Sequence, residues 1–259
     1  MIAEDYLRNF NKRIIDERRD LLKKSNNNMN KTEDNKIETD DETPSYSIFI
    51  DHIINNEGIF TDREIRDHVV TVLSAGYETS ATALAHCILF LALHNDIQDK
   101  LLEEITEFFP TDDTEINYES LSKLQYMDRV LKESLRLAPV GPVIFRENTA
   151  DYEITPGVVI PKNTIFILNI YALHRSKAIW GDEVEKFNPD NFLPENIAKR
   201  HPCSYIPYST GRRNCIGTYL NSIPSKNSFI KVCHFRFSLC NNIHENNTPS
   251  TASKLQIFQ

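Results

Sequence analysis

The chain has 259 residues and a mass of 30.0 kDa, room for one large domain or two small ones at roughly 100–200 residues per domain. Apolar residues at 40% and charged residues at 25% are ordinary globular usage, which excludes collagen-like, mucin-like and wholly disordered classes. Lys and Arg number 29 against 37 Asp and Glu, a formal charge of -8; that sign opposes bulk electrostatic binding to nucleic acid, so no nucleic-acid partner is expected.

Residues 1–24 read as an N-terminal amphipathic helix with Ile2, Tyr6, Phe10, Ile14 and Leu21 or Leu22 along one face. No membrane anchor is visible there. Residues 25–45 hold six acids and two lysines with one Ile and one Met, too little apolar surface to order a segment, and read as a disordered acidic linker. Residues 46–259 form the remaining segment.

From Thr61 the run TDREIRDHVV through LLEEI predicts one long helix, opened by a capping box of Thr61 and Glu64. Residues 68–93 contain no Lys or Arg and a single acid, Glu78. A helix apolar nearly all round belongs in the core of a large protein or in lipid. The polar stretch SAGYETSAT interrupts any membrane span, so the central helix of a soluble core is the preferred reading. A second helix ends in LSKLQYMDRVLKESLRLAP, stopped by Pro139. The stretch TADYEITPGVVIPKNTIFILNI alternates about Pro156-Gly157 and predicts a β-hairpin. Residues 182–207 carry Pro189, Pro194, Pro202 and Pro207 and read as an irregular meander.

The cysteines, Cys87, Cys203, Cys215, Cys233 and Cys240, are odd in number and include no C-x-x-C, which predicts a reducing compartment without a disulfide framework. Four of them read as small buried hydrophobes. Cys215 differs, because YIPYSTGRRNCIG sets a thiol between two glycines and behind two arginines. Such an electropositive, backbone-dominated loop lowers a thiol pKa and suits it to ligate a metal.

This loop resembles the haem-thiolate signature of the cytochrome P450 family, F-x-x-G-x-R-x-C-x-G. Gly211, Arg213, Cys215 and Gly217 match, and Tyr208 stands where the family usually has Phe. Three further motifs occur in the family's order. AGYETS, residues 75–80, is similar to A/G-G-x-D/E-T; Gly76 leaves room for haem to approach the backbone, and Thr79 can bond a carbonyl one turn back and locally open the helix. Glu133-Ser134-Leu135-Arg136 is similar to E-x-x-R. FNPDNF, residues 187–192, resembles F-x-P-E-R-F, with Asn191 where most members carry the Arg that completes a Glu-Arg-Arg triad. That departure resembles some insect members of the family-4 group.

The resemblance implies that residues 46–259 are a partial haem domain, mainly α with small β-sheets and the C-terminal half of the family's fold: long central helix, E-x-x-R helix, β-hairpin, meander and Cys-ligand loop. It implies haem b, iron protoporphyrin IX, with Cys215 as axial ligand to the iron and Arg146 and Arg213 on the propionates. Glu78 and Thr79 would pass protons, the buried pair Glu133 and Arg136 would be structural with Asn191 beside it, and Val143, Ile144 and Phe145 would line the substrate pocket. The implied activity is a monooxygenase inserting one oxygen atom from O2 into a lipophilic small molecule. Its electrons would come from NADPH-cytochrome P450 reductase, docked near Arg212 and Lys226, on the cytosolic face of the endoplasmic reticulum membrane.

A second reading of the same residues is a truncated, inactive remnant that does not retain haem. A zinc site from Cys203, Cys233, His234, Cys240 and His244 lacks the close cysteine pairs such sites use. Beyond the Cys loop, Pro224 lies in the path of the expected helix.

Overall fold

The computed structural model describes residues 2–29, 49–56, 58–111, 114, 116–218 and 230. They form a mainly helical chain with two small antiparallel sheets, divided into two units, Met1–Glu78 and Thr79–Gln259.

The first unit comprises α1 (Ile2–Met29), α2 (Phe49–Ile54) and the N-terminal half of α3 (Asp62–Leu93). Its small core joins Ile15, Ile53, Ile65 and Val69, with Ile50 and Phe60 against it. Of the predicted α1 face, Phe10, Ile14 and Leu22 are half-buried, whereas Leu21 is exposed. Arg18 makes a bidentate pair with the buried Asp51 at 2.5 and 2.7 Å, and Arg19 reaches Asp62 at 2.6 Å. α1 runs five residues beyond the predicted end at Lys24. The linker expectation rested on scarce apolar surface, which limits packing but does not forbid a helical extension; residues 30–45 lie outside the described residues.

The predicted capping box opens α3. Thr61 N–H and Oγ1 both donate to Glu64 Oε2 at 2.8 Å, and Glu64 N–H donates back to Thr61 Oγ1 at 3.3 Å. These bonds satisfy donors the first helical turn leaves unpaired. They also hold the Glu64 carboxyl below its ordinary range.

The single long helix expected from Thr61 is instead two. His94 leaves helical geometry at φ -132°, ψ 79°, its Nδ1 lying 2.8 Å from Phe90 O, and α4 (Asn95–Phe108) begins after it. The second predicted helix also breaks, at Lys123 and Leu124, into α5 (Tyr118–Ser122) and α6 (Gln125–Leu137). A capping box of Asn117 and Ser120 opens α5. α4 buries Ile97, Leu101 and Ile105 on one stripe, α6 buries Met127, Val130 and Leu137, and this core also takes in Cys87, Leu91, Phe109, Leu121, Leu124, Phe187 and Ile230.

α6 has no side-chain cap of its own. Glu104 of α4 takes that part, accepting the backbone N–H of Tyr126 at 2.7 Å and of Met127 at 2.8 Å. A carboxylate on the positive end of a helix serves both the unpaired donors and the dipole. Glu104→Ala should therefore lower stability by about 1–2 kcal/mol, and Glu104→Gln, which keeps an acceptor, by less. Urea midpoints of the two variants test the order; equal midpoints would show that the cap contributes nothing.

After α6 the chain forms β1 (Val143–Glu147), β2 (Tyr152–Thr155), β3 (Val158–Ile160) and β4 (Ile165–Asn169), all antiparallel. The predicted hairpin is β2–β3, turning at Pro156-Gly157, where Gly157 sits at φ +83°. It is nested inside a β1–β4 pair, Phe145 opposite Ile167. Asn148 closes the junction, accepting from Thr164 N–H at 2.7 Å and donating to Ala150 O and Pro161 O. Short helices α7 (Ile170–Leu173), α8 (Lys177–Trp180) and α9 (Pro194–Ile197), with single turns at Pro189–Phe192 and Pro202–Ser204, make up the meander.

The expected burial of α3 is not found. Among the described residues only Ile65, Val69, Cys87 and Leu91 of this helix are buried hydrophobics, while Val70, Val72, Leu73, Tyr77, Ile88, Leu89 and Leu93 are exposed. By length and composition alone α3 could also cross a membrane.

Candidate functional site

The second unit places Glu133 and Arg136 one turn apart on α6, both 0% exposed. The guanidinium meets the carboxylate fork to fork, Nε to Oε2 at 2.8 Å and Nη2 to Oε1 at 2.7 Å. Its other hydrogens donate to three meander carbonyls, His174 O at 2.9 Å, Val184 O at 2.8 Å and Lys186 O at 3.1 Å. Glu133 Oε1 also accepts the Asn188 N–H at 2.9 Å and the Asn191 Nδ2 at 3.1 Å. One buried ion pair thus fastens α6 to the whole segment 174–191. Arg suits this because its planar fork carries five donors in fixed directions.

His174, which sequence reasoning passed over, is a second fastening. It is fully buried; its carbonyl serves Arg136, and its Nε2 accepts the Ile206 N–H at 3.0 Å, so Nδ1 carries the proton. Burial drives its pKa down to about 4, opposed by hydrogen bonding to the Arg136 backbone, and the charges of Arg136 and Arg175 lower it further. Tyr205 stacks on the imidazole at 5.2 Å and donates its hydroxyl to Lys132 O at 3.0 Å. Burial raises the Tyr205 phenol well above 10. Trp180 and Phe192 complete the cluster. A lone His and a lone Trp carry no spacing signal, which is why only the folded contacts single them out.

The Cys loop follows directly. Cys215 N–H donates to Tyr208 O at 2.9 Å, and Asn214 N–H to Gly211 O at 3.2 Å. Gly211 takes φ +83°, a region closed to most side chains, so the tight loop depends on glycine there. Gly217 and Gly76 have no such constraint: a Cβ on Gly217 would meet Cys215 Sγ at an ordinary 3.7 Å, and one on Gly76 would meet nothing within 4 Å. Arg212, Arg213, Asn214, Cys215 and Ile216 are all exposed. From β1, Arg146 reaches this loop, its Nη2 donating to Ser209 Oγ at 3.1 Å and to Arg213 O at 3.5 Å. The structure thus gathers Arg146, Tyr208, Gly211, Arg213, Cys215 and Gly217 on one loop and the strand beside it.

Gly76 and Glu78 lie in the first unit and Thr79 in the second, all exposed on α3. The helix runs without interruption from Asp62 to Leu93, so the local opening expected at Thr79 is absent. Val143 and Phe145 are exposed on one face of β1, with Ile144 half-buried on the other. No strand was predicted there, because Pro139, Gly141 and Pro142 mask it and its partner β4 is remote in sequence. Cys87 is buried as expected, but Cys203 is exposed, because it sits in a polar turn after His201 and Pro202. Lys226, Cys233, His234, Cys240, His244 and the Pro224 segment lie outside the described residues. Among the described residues no three His, Cys, Asp or Glu side chains come together as a metal-ligand set.

A helical chain whose buried Glu-Arg pair anchors a meander, followed by a glycine-turned loop presenting one cysteine, has the architecture of the haem-thiolate proteins. Residues 3–255 match the cytochrome P450 family profile, and the chain belongs to that family. It is 38% identical over 182 residues to probable cytochrome P450 313a4 of Drosophila melanogaster, covering 70% of this chain and 37% of the relative. Cytochrome P450 4p1 of the same organism is 33% identical over 219 residues, covering 83% and 42%. Cytochrome P450 6B6 of Helicoverpa armigera is 38% identical over 176 residues, covering 65% and 34%. The chain therefore spans about two fifths of the length of the curated relatives it matches.

The residues present fit the haem that this family implies. Cys215 is in no disulfide, its side chain is exposed, and the guanidinium groups of Arg212 and Arg213 on its loop and of Arg146 beside it surround it with positive charge. One thiolate suffices for a cofactor that brings its own four nitrogen ligands, so no multi-residue cluster is required.

Proposed function

We propose that this chain provides the thiolate half of a cytochrome P450 monooxygenase that inserts one oxygen atom from O2 into a lipophilic small molecule. The observation that carries the reading is the exposed Cys215 on its glycine-turned loop, fixed by the bond to Tyr208 O. When bound, haem b would supply the oxygen-activating chemistry, to which a cysteine thiolate ligand would contribute electron density.

The chain's own part is binding and proton supply. Cys215 Sγ, exposed on its glycine-turned loop, would hold the iron. Arg146 and Arg213 offer charge-assisted bonds to the two propionates. The Glu78 carboxylate and Thr79 Oγ1, adjacent in the family motif on α3, hold and pass the protons the reaction consumes. Val143 and Phe145 present an apolar strand face to the substrate. Exposed Arg212 adds local positive charge for docking an NADPH-dependent reductase. The site of action is the cytosolic face of the endoplasmic reticulum membrane.

The test is spectroscopic. Supplied with haem, reduced and exposed to carbon monoxide, the chain should give the red-shifted Soret band of thiolate ligation. Cys215→Ala should abolish it, whereas Cys203→Ala, at an exposed cysteine outside the loop, should leave it unchanged. A chain that folds but gives no such band overturns the proposal and favours an inactive remnant.

A further inference from the structure

The family's triad places a second arginine beside the glutamate, and here that position is Asn191. An amide donates to Glu133 but adds no charge. A second guanidinium nevertheless sits in this cluster, nine residues further along the meander. Arg200 donates through Nη2 to Asn191 O, the carbonyl of the residue whose side chain binds Glu133. Its guanidinium lies over the Trp180 ring at 4.1 Å and near the Phe192 ring at 5.8 Å. Arg136 approaches the same Trp180 ring at 5.0 Å. Burial lowers the Arg200 pKa, and the Glu133 carboxylate is the opposing charge that acts on it, while Arg136 repels it.

We infer that Arg200 supplies, from outside the motif, the second positive charge that Asn191 cannot bring to Glu133, making it a positioning residue for the meander that leads to the Cys215 loop. Three observations converge on that role. The bond to Asn191 O holds the Arg200 guanidinium against the residue whose side chain binds Glu133. The stacking on Trp180 at 4.1 Å supplies an oriented, partly desolvated setting that strengthens the interaction of a guanidinium with a ring face. Segment 200–206 then continues through Pro202–Ser204 and Tyr205 to Ile206, whose N–H is held by His174. Arg200 therefore ties the start of that segment to the buried pair, as His174 ties its end. The inference rests on this geometry and not on haem binding or turnover, and its test reads neither.

Trp180 is the only tryptophan in the chain, so its emission reports directly on the guanidinium above it. Four proteins decide the matter: the parent, Arg200→Gln, Asn191→Arg, and the double variant. Arg200→Gln should change the Trp180 emission and lower Tm by about 5 °C, the size expected for the loss of one strong contact in a chain of this length. Asn191→Arg should restore at least half of that loss in the Arg200→Gln background and add nothing to the parent, because only one second cation is needed. A double variant no more stable than Arg200→Gln overturns the inference, since Arg200 would then be acting through packing alone. Should Arg200→Gln fail to fold, recovery of a folded double variant supports the charge role and equal failure overturns it.

Discussion

Arg136→Ala will destabilise the second unit by about 3–5 kcal/mol, because it strands the Glu133 carboxylate, 0% exposed, without its cation. The same change removes the donors to His174 O, Val184 O and Lys186 O. Set against a total stability of about 5–15 kcal/mol for a globular domain, this loss leaves the meander barely held. Glu133→Gln should cost less. Gln keeps an acceptor for the Asn188 N–H and, although it leaves Arg136 charged, the three carbonyls still solvate that charge.

Many buried ion pairs can be exchanged for apolar residues at little cost, since their Coulomb energy only offsets desolvation. This pair should behave otherwise. A Glu133→Leu, Arg136→Met double variant removes both charges but abandons three carbonyls, the Asn188 N–H and the Asn191 amide, at about 1–3 kcal/mol for each group left buried and unsatisfied. Urea unfolding followed by Trp180 fluorescence measures all three variants. An Arg136→Ala loss below about 1 kcal/mol, or a double variant as stable as the parent, would show that the pair is not the anchor its geometry describes.

What the sequence made legible was local or carried by a motif. Thr61 and Glu64 lie three residues apart and cap α3 as their spacing predicts, and Pro156-Gly157 turns the β2–β3 hairpin. Glu133 and Arg136 were found by their spacing, and the resemblance implied their burial; spacing alone could not, because the partners lie 38 to 58 residues downstream. The helix breaks at His94 and Leu124 have no Gly or Pro to announce them; Phe187, stacked on Phe90 and tilted against His94, is a contact of folded elements. Glu104, His174 and Arg200 were missed for the same reason. Each is an ordinary polar residue until a remote segment supplies its partner. α3 was misjudged in the other direction: its composition says what surface it would gain by covering, not that this chain covers it.

Acid should expose the His174 fastening. Its pKa is held at about 4 in the folded chain against 6.5 ordinarily, so below pH 6.5 the unfolded chain takes up a proton that the folded chain refuses. Stability contributed by this group is therefore complete above pH 6.5, falls as pH drops toward 4, and levels off below that, a loss of about 3 kcal/mol over the window. Protonation would place a cation beside Arg136 and Arg175 and convert Nε2 from acceptor to donor, breaking its bond to the Ile206 N–H. That bond ties the segment leading to the Cys215 loop to the end of α7. The measurement is the urea unfolding free energy at pH 7.5 and pH 4.5 for the parent and for His174→Asn, whose amide oxygen can still accept from Ile206 but does not titrate. Carboxylates titrating near pH 4.5 contribute equally to both proteins and cancel in the difference. The variant should be less stable than the parent at pH 7.5 and lose clearly less on acidification, so that the two converge near pH 4.5. Parallel losses would place the acid sensitivity elsewhere and show that His174 charges without consequence for the fold.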